Sequence, residues 1–168
     1  MANVGIALGS NIGLRLSHLR EARDLLTELM PRNAKVLQAP IYQSTPVDCQ
    51  DNSPDFYNTV LEIIYEGSPS QLLSKTQQIE KQLGRPEKMI LNEPRIIDID
   101  ILYFDDIVIE SNYLSIPHSR ITERRFVLEP LAEINPELIL PNEVLTISEL
   151  LENLHTDEPA LSMVQSHW

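Results

Sequence analysis

Cysteine and positive charge are both scarce in this sequence, and each shortage excludes a class of site. Cys49 is the single cysteine among 168 residues, so neither an internal disulfide nor a zinc site built from cysteines can form. Lysine and arginine number 13 against 25 aspartates and glutamates, which gives a formal net charge of −12. Because such an acidic chain repels nucleic-acid phosphates, we expect no nucleic-acid partner.

Long apolar runs are also missing. No stretch approaches the ~20 apolar residues that a membrane-spanning helix needs, so we expect no membrane association. The first residues, Met-Ala-Asn-Val-Gly-Ile-Ala-Leu, lack the basic and apolar segments of a signal peptide. Together with the lone cysteine, these features lead us to expect a cytoplasmic protein. The length favours one domain over residues 1–168, and we expect a monomer.

Glycine-rich phosphate loops are absent too, since the sequence has neither G-x-x-x-x-G-K-[ST] nor G-x-G-x-x-G. A phosphate site in this chain would therefore need side-chain cations. Arginine suits that role because its planar guanidinium binds phosphate oxygens in pairs. Five of the nine arginines lie between residues 85 and 125 and indicate a local site for an anionic ligand: Arg85, Arg95, Arg120, Arg124 and Arg125.

Residues 95–102, Arg-Ile-Ile-Asp-Ile-Asp-Ile-Leu, combine a strand-like pattern with two carboxylates. Because successive side chains on a strand point to opposite faces, Asp98 and Asp100 share one face and the isoleucines share the other. Neighbouring carboxylates repel each other unless a cation lies between them, and hard oxygen ligands suit Mg²⁺. The segment therefore predicts a metal site, with a solvated acidic strand face as the alternative.

Two aspartates on one strand face suit a reaction at phosphorus. Their Cβ atoms are ~6.5 Å apart by strand rise, close enough to bridge two ions ~3.5–4 Å apart. Such a pair of ions stabilises both the attacking and the leaving oxygens of an in-line displacement. His118, beside Arg120, could donate a hydrogen bond to a phosphate, although a lone histidine is more often structural.

A predicted strand, Phe56–Tyr65, carries a second constellation. Phe56 and Asn58 alternate onto one of its faces. An aromatic ring beside an amide that both donates and accepts hydrogen bonds suits a flat heterocycle. Core packing of the phenylalanine is the plainer explanation, and the strand alone does not decide between the two.

Hydrophobic periodicity and Gly/Pro punctuation predict interleaved strands and helices. Their order favours a single-sheet α/β sandwich of mixed or antiparallel order. The other predicted elements are strands at Val4–Leu8, 34–39 and Ile41–Gln43, a helix from about Ser17 to Pro31, a helix from Ser68 to Gly84, a hairpin turn at Asp105-Asp106, and a helix around Ser148–Leu154.

These motifs, in this order, resemble those of the hydroxymethyldihydropterin pyrophosphokinases of folate biosynthesis. The resemblance covers nearly the whole chain, and several motifs at compatible spacing make it specific. The motifs are Ala7-Leu-Gly-Ser-Asn11, Phe56-Tyr-Asn58, Gln77-Gln-Ile-Glu80 with Gly84-Arg85, Pro94-Arg95-Ile-Ile-Asp98-Ile-Asp100-Ile-Leu102, and Ile116-Pro-His118 with Glu123-Arg124-Arg-Phe126-Val-Leu128.

The resemblance implies a ferredoxin-like α+β sandwich with a mainly antiparallel sheet. It also implies an enzyme that transfers diphosphate from ATP to 6-hydroxymethyl-7,8-dihydropterin and releases AMP. ATP would be the co-substrate and two Mg²⁺ ions the cofactors. The catalytic residues would be Arg85, Arg95, Asp98 and Asp100, with both aspartates holding the metal ions.

The binding residues for both substrates follow from the same resemblance. Two polar loops, about 44–55 and 84–94, would be lids that exclude water, because ATP hydrolysis competes with transfer. The ATP-binding residues would be Gln77, Glu80, Arg85, Arg95, Ile101, Ser115, His118 and Arg124. The pterin-binding residues would be Ser44, Pro46, Val47, Phe56, Asn58 and Phe126.

The sequence departs from the family mainly in the loop before Pro94. The family usually has glycine there, often after a tryptophan, whereas this chain has Asn92-Glu93. Glu87 stands where some members carry a loop arginine, and Ser119 replaces a tyrosine that some members have. A carboxylate where an arginine would approach triphosphate reverses the local charge. We therefore expect a lid that closes less tightly.

Two alternative functions are kept open. Another metal-dependent phosphotransferase or hydrolase would retain the aspartate pair but would not need Asn58 beside Phe56. A paralogue that binds pterin or nucleotide without transfer would fit the altered loop 84–94, although the retained Asp98, Asp100 and His118 argue against it.

Glu87→Arg should raise turnover or lower the ATP concentration that the reaction requires, because it restores a cation near the triphosphate. Steady-state kinetics with varied ATP measure both quantities. If neither changes, Glu87 has no part in lid closure.

Overall fold

The computed structural model describes residues 1–45, 54–85 and 95–168, in which helices and strands alternate along most of the chain. The elements are β1 (Ala2–Ser10), α1 (Arg15–Thr27), β2 (Leu37–Gln38), β3 (Ile41–Ser44), β4 (Phe56–Tyr65), α2 (Pro69–Gln82), β5 (Asp98–Phe104), β6 (Ile109–Glu110), β7 (Ser115–Ile116), a 3-10 turn (Ile121–Glu123), α3 (Arg125–Ile134), α4 (Ile147–Glu152) and β8 (Ser162–Gln165).

One sheet organises these elements, with its strands in the order β5-β1-β4-β3-β8 and with β2 also paired to β4. The pairings in this sheet are antiparallel. A separate small sheet joins β6 to β7. This architecture confirms the expected α+β sandwich with a mainly antiparallel sheet.

Helices cover both faces of the sheet. On one face, Val4, Ile6 and Leu8 of β1 pack with buried residues of α1 and α2, including Leu19 and Leu72. On the other face, a second cluster joins the sheet to α3 and α4; it comprises Val60, Leu102, Tyr103, Ile121, Val127, Leu128, Leu131, Leu140 and Ile147. The isoleucines expected to face the core, Ile97, Ile99 and Ile101, are buried in the first cluster. Asp98 and Asp100 therefore project from the α3 face.

An irregularity in β5 changes which face its last residues use. The register with β1 shifts between Gly5 and Ile6, where Gly5 pairs with Tyr103 and Ile6 with Ile101. Leu102 is the extra residue, so it and Tyr103 both pack in the α3-side cluster. A Cβ atom on Gly5 would lie 2.1 Å from Cε1 of Tyr103. Glycine is thus required beneath this ring.

Several predicted boundaries are confirmed and others are wrong. The strand Phe56–Tyr65 is confirmed, as is a helix start at Ser68, whose side chain forms a capping box with Gln71. Helix α1 begins at Arg15 rather than near Ser17. The strand predicted over 34–39 shortens to Leu37–Gln38, and the last helix shortens to Ile147–Glu152.

The turn predicted at Asp105-Asp106 is present, but it does not close a hairpin. Asp105 adopts φ 45°, its N–H donates to the Asn3 carbonyl at 2.8 Å, and its carboxylate accepts the Asn3 N–H at 2.8 Å. These bonds hold the turn against β1, so the chain leaves the sheet there. The next strand, β6, pairs with β7 instead of returning along β5.

None of the helices in the described ranges is both long enough and apolar enough to cross a bilayer.

Gly5→Ala should destabilise the protein by about 1–3 kcal/mol, the usual effect of overpacking a core. Urea unfolding measures the change. A double-mutant cycle with Tyr103→Leu tests the cause, because the smaller side chain should relieve part of the Gly5→Ala destabilisation. Strict additivity of the two substitutions would show that the ring is not what excludes a side chain at residue 5.

Candidate active site

The aspartate pair opens onto a cleft on the α3 face of the sheet. Asp98 begins β5, and Asp100 follows on the same face. The cleft is lined by Ala7, Leu8, Gly9, Ser44, Thr45, Phe56, Asn58, Thr59, Arg95, Asp98, Asp100, Leu102, His118, Arg120, Arg124, Phe126 and Val127. Its walls therefore combine acids, cations, aromatic rings and an amide, drawn from β1, β3, β4, β5 and α3.

Sheet register joins the two halves of this cleft. Gly9 of β1 pairs with Asn58 of β4 on one side and with Asp98 of β5 on the other. Since neighbouring strands lie about 4.8 Å apart, the main chains of Asn58 and Asp98 are about 10 Å apart across one glycine. A Cβ on Gly9 would lie 3.1 Å from Oδ1 of Asn58. A glycine at this position leaves the passage between the two halves open.

Both carboxylate oxygens of Asp98 accept hydrogen bonds from arginines. Nη1 of Arg85 donates to Oδ1 at 2.8 Å, and Nη1 of Arg95 donates to Oδ2. The three side chains are half-buried, which strengthens their electrostatic interaction relative to an exposed pair. The negative charge of Asp98 is thus compensated by protein cations.

The end of α2 places Arg85 at this site. Gly84 adopts φ 98°, its N–H donates to the Lys81 carbonyl at 3.1 Å, and the Arg85 N–H donates to the Glu80 carbonyl at 2.9 Å. These two bonds form a Schellman motif, which favours glycine at the left-handed position. The motif ends the helix and turns Arg85 towards β5.

Glu80 is buried between α2 and the outer edge of β5. Its Oε1 accepts the Ile99 N–H at 2.8 Å and also a bond from Arg85. The pKa of Glu80 is raised to about 7, chiefly by burial. Arg85 and the Ile99 amide oppose the shift, and the charges of the two aspartates add to it. Glu80 contacts protein groups here, so its contact with a nucleotide stays a prediction.

Asp100 also holds its proton more tightly than an exposed acid. Its pKa is raised to about 6 by burial and by the charge of Asp98, while Arg124, Arg95 and Arg85 oppose the shift. Within the described ranges, no group of three or more His, Cys, Asp or Glu side chains could hold a metal ion. Two carboxylates completed by substrate oxygens and water nevertheless match how Mg²⁺ is commonly bound. The donor set therefore fits the expected metal.

His118 lies at the mouth of the cleft with its ring orientation fixed. Its main-chain N–H donates to the Leu102 carbonyl at 2.8 Å. Its ring Nδ1 accepts a hydrogen bond from the main-chain N–H of Arg120 at 3.1 Å. Burial and the charges of Arg124 and Arg120 lower its pKa. A neutral ring that accepts at Nδ1 carries its proton on Nε2. His118 can therefore donate one hydrogen bond from Nε2.

Four of the five clustered arginines converge on the cleft. Arg85 and Arg95 contact Asp98, and Arg120 and Arg124 line the wall. Burial and the charge of Arg120 lower the pKa of Arg124. The fifth is Arg125, whose Nη1 lies 3.8 Å from Oε2 of Glu129 instead. Sequence clustering identified Arg120, although it was not among the expected ATP contacts.

The other half of the cleft is formed by β3, β4 and α3. Nδ2 of Asn58 donates to Oγ of Ser44 at 2.7 Å, and the amide is buried. Phe56 pairs with Ser44 across the strands. Phe56 and Phe126 both line the wall, the latter with the Arg124 guanidinium 5.5 Å from its ring centroid. This half of the cleft therefore places the Asn58 amide near the rings of Phe56 and Phe126.

Asn11 is a residue whose role the sequence did not reveal. Its Oδ1 accepts the Arg95 N–H at 2.6 Å, its own N–H donates to the Arg95 carbonyl at 3.0 Å, and its Nδ2 donates to the Pro54 carbonyl at 3.2 Å. It thus joins the segment at Pro54 to the segment at Arg95. In the sequence, Asn11 appears only as the last residue of the motif Ala7–Asn11, and its contacts with Arg95 and Pro54 depend on tertiary folding.

A family model described as 7,8-dihydro-6-hydroxymethylpterin-pyrophosphokinase (HPPK) matches residues 5–136. The chain belongs to this family. That span includes the aspartate pair, the converging arginines and the Phe56–Asn58 strand. The expected family membership is therefore confirmed, and HPPK proteins are the proper comparison for each wall of the cleft.

The chain is similar in sequence to curated proteins of about its own length and to much longer ones. The chain is 44% identical over 129 residues to a Bacillus subtilis 2-amino-4-hydroxy-6-hydroxymethyldihydropteridine pyrophosphokinase, covering 77% of this chain and 75% of that protein. It is 37% identical over 152 residues to the Haemophilus influenzae protein of that name, covering 90% and 92%. It also matches the Pneumocystis carinii folic acid synthesis protein fol1 at 39% identity, covering 94% of this chain but only 21% of the longer protein.

Solved HPPK-DHPS structures have the same fold. One, a Plasmodium falciparum triple mutant with STZ-DHP, superposes with a TM-score of 0.69 at 17% identity, covering 90% of this chain and 43% of that one. The wild type with SDX-DHP gives a TM-score of 0.67 at 18% identity over 90% and 44%. At these identities the likeness concerns the fold alone.

Some residues expected in the HPPK site are not in the described lining of the cleft, and others lie outside the described ranges, so their contacts stay predictions. Gln77 is exposed on α2 and is absent from the described lining of the cleft. Ser115 lies on β7, and the Ile101 side chain is in the core. The following lie outside the described residues: Pro46, Val47, Cys49, Glu87, Asn92, Glu93 and Pro94.

Glu80→Gln should change how stability depends on pH. The pKa of Glu80 rises on folding, from an ordinary 4.5 to about 7, so its protonated form favours the folded state. The parent should therefore lose stability relative to the glutamine variant as pH rises from 4.5 to 8, by about 1–3 kcal/mol. Urea unfolding of both proteins without metal across this range measures the difference. A constant difference would mean that Glu80 ionises as an exposed acid does.

Proposed function

We propose that the chain is an ATP-dependent diphosphotransferase of folate biosynthesis. It transfers diphosphate from ATP to 6-hydroxymethyl-7,8-dihydropterin and releases AMP. The observation that supports this most is the strand register: Asn58, Gly9 and Asp98 lie side by side across three strands. A pocket for a flat heterocycle therefore adjoins a cationic, carboxylate-bearing pocket on one sheet face.

The phosphates of ATP bind to Arg85, Arg95, Arg124 and His118. Arg85 and Arg95 now donate to Asp98, so their guanidinium groups are already at the site before a phosphate arrives. The neutral His118 donates from Nε2 and adds no charge of its own. Planar guanidinium groups suit phosphate because they donate in pairs with fixed geometry.

Asp98 and Asp100 would hold two Mg²⁺ ions. When bound, such ions would supply positive charge that neutralises the phosphate oxygens. Burial and then the charge of Asp98 raise the pKa of Asp100, and a cation beside both carboxylates would offset the repulsion between them. Arg85 and Arg95 compensate the charge of Asp98, and the same guanidinium groups would be available to phosphate oxygens if Asp98 held a metal ion.

The nucleoside part binds along the outer edge of β5. The Ile99 N–H points outward to Glu80. The main-chain N–H and C=O groups of successive residues point to alternate edges of a strand, so those of Ile101 face the same edge as those of Ile99. We expect them to form hydrogen bonds with adenine, together with the main chain of Ser115. Glu80 fixes this edge, and Gln77 contacts the nucleotide from the exposed side of α2.

The pterin binds between Phe56 and Phe126 and exchanges hydrogen bonds with Asn58. The amide both donates and accepts, which a pterin ring requires. Ser44 already accepts from Nδ2 of Asn58 at 2.7 Å and so orients that amide. Pro46 and Val47, in the loop that follows, close over the ring.

The reaction is an in-line displacement at the β-phosphorus of ATP. The hydroxymethyl oxygen forms the new bond to that phosphorus and loses its proton to solvent, while the bond to the bridging oxygen of AMP breaks. The arginines and His118 stabilise the negative charge that spreads over the phosphate oxygens. Loops 44–55 and 84–94 act as lids that exclude water. The proposal also includes a monomer with one domain over residues 1–168, located in the cytoplasm.

Incubation of the protein with ATP, Mg²⁺ and hydroxymethyldihydropterin should give AMP and the pterin diphosphate in equal amounts. Removal of Mg²⁺ by EDTA should stop the reaction. Asp98→Asn and Asp100→Asn should each lower kcat by on the order of 10²–10³, as loss of one electrostatic contact to a transition state typically does. Asp106→Asn, an exposed acid beyond the end of β5, is the matched control and should leave kcat unchanged.

Three outcomes would contradict the proposal. ADP or phosphate as the product would indicate another phosphotransferase or hydrolase. Tight pterin binding without turnover would indicate a non-catalytic paralogue. Full activity of either aspartate variant would exclude the carboxylate pair as the metal site.

A further inference from the structure

Residues 156–168, here called the strap, follow the family-matched span of 5–136 and lie along the edge of the sheet. Its strand β8 pairs with β3, placing Gln165 opposite Ile41 and Ser162 opposite Gln43. Strand β3 ends at Ser44, which accepts a hydrogen bond from Asn58. The strap therefore supports the strand that carries one wall of the cleft.

Trp168 fixes the chain just before β3. Its indole Nε1 donates to the Ala39 carbonyl at 2.9 Å, and the Gln38 side chain donates to the Trp168 carbonyl at 2.7 Å. Arg23 of α1 lies 4.9 Å from the indole centroid and also donates to that carbonyl. The Ala39 carbonyl accepts a second bond, at 3.0 Å, from the hydroxyl of Thr59. Trp168 and a residue of the cleft lining thus share one carbonyl.

Glu158 contacts the opposite wall. Its Oε2 accepts the N–H of Arg125, the first residue of α3, at 3.3 Å. The N-cap residue, Arg124, has a guanidinium that cannot accept a hydrogen bond, and the first turn of α3 contains no acid in its sequence. A carboxylate at this helix end satisfies a main-chain donor and complements the helix dipole. The residues on either side of Arg125, Arg124 and Phe126, both line the cleft.

We propose that the strap positions both walls of the pterin half of the cleft. Trp168 is a positioning residue for β3 and its Ser44–Asn58 pair, and Glu158 is a positioning residue for Arg124 and Phe126. Neither residue touches the substrates. The proposal rests on the assignment of this half of the cleft to the pterin, made above.

Trp168→Phe keeps an aromatic ring but removes the indole N–H. The variant should raise the KM for hydroxymethyldihydropterin about two- to ten-fold, the factor that corresponds to one lost hydrogen bond, and leave the KM for ATP unchanged. Met163→Leu is the control, because Met163 is an exposed side chain of the same strap. Assays are run well below the unfolding temperature of each variant, as determined by circular dichroism.

Glu158→Gln keeps the shape of the side chain but removes its charge. It should raise the KM for both substrates about two- to five-fold, the factor that corresponds to one charge at a helix N-terminus, because Phe126 faces the pterin and Arg124 faces ATP. The neighbouring exposed acid provides the control, Asp157→Asn. Higher salt should narrow the difference between parent and Glu158→Gln, which a purely structural role would not produce.

Asn58→Ala separates failure of this proposal from failure of the proposed function. If Asn58→Ala weakens pterin binding while Trp168→Phe and Glu158→Gln leave both KM values unchanged, the strap has only a structural role and this proposal is overturned. If Asn58→Ala also leaves pterin binding unchanged, the assignment of this half of the cleft is wrong. Should Trp168→Phe fail to fold, Glu158→Gln alone decides the outcome.

Discussion

The constraint on which this site depends is the placement of two like charges on one face of an edge strand. Asp98 and Asp100 can share that face only because cations surround them, and two arginines occupy both oxygens of Asp98. The Schellman turn at the end of α2 and the anchoring of Arg95 by Asn11 serve this arrangement directly. The site is thus stable without substrate because its own cations stand where charged ligands would later bind.

The sheet turns that local arrangement into a cleft with two halves. Adjacent strands bring Asn58 and Asp98 to either side of Gly9, so the distance between the two halves is set by strand spacing rather than by loop conformation. The conformation of the loops can then change without altering the distance between the two halves of the cleft. Glu87 and Asn92-Glu93 lie outside the described residues, whereas the register is set by strands in the core of the fold.

Local patterns in the sequence were enough to predict some of this. Alternation of isoleucine with aspartate correctly assigned the faces of β5, and Ser68-Pro69 marked the start of α2. The extra residue at Leu102, the contacts of Asn11 with Pro54 and Arg95, and the hydrogen bonds of Asp105 to Asn3 could not be predicted, because each depends on which distant segment is adjacent. Arg120 and Arg125 belong to one cluster in the sequence but occupy different places in the structure. Arg120 lines the cleft, whereas Arg125 lies beside Glu129, and only tertiary packing determines this difference.

Strand β5 is also the last strand on its side of the sheet, and an unpaired edge is where sheets of separate molecules join and aggregate. Glu80 occupies the Ile99 N–H on that edge, and the His118 N–H occupies the Leu102 carbonyl. Two residues of the cleft region therefore also block edge-to-edge pairing. The Glu80 contact is made by a side chain, so a substitution there would unblock the edge and also disturb the Arg85 contact at the site. The His118 contact is made by the main chain and therefore does not depend on the residue type at that position.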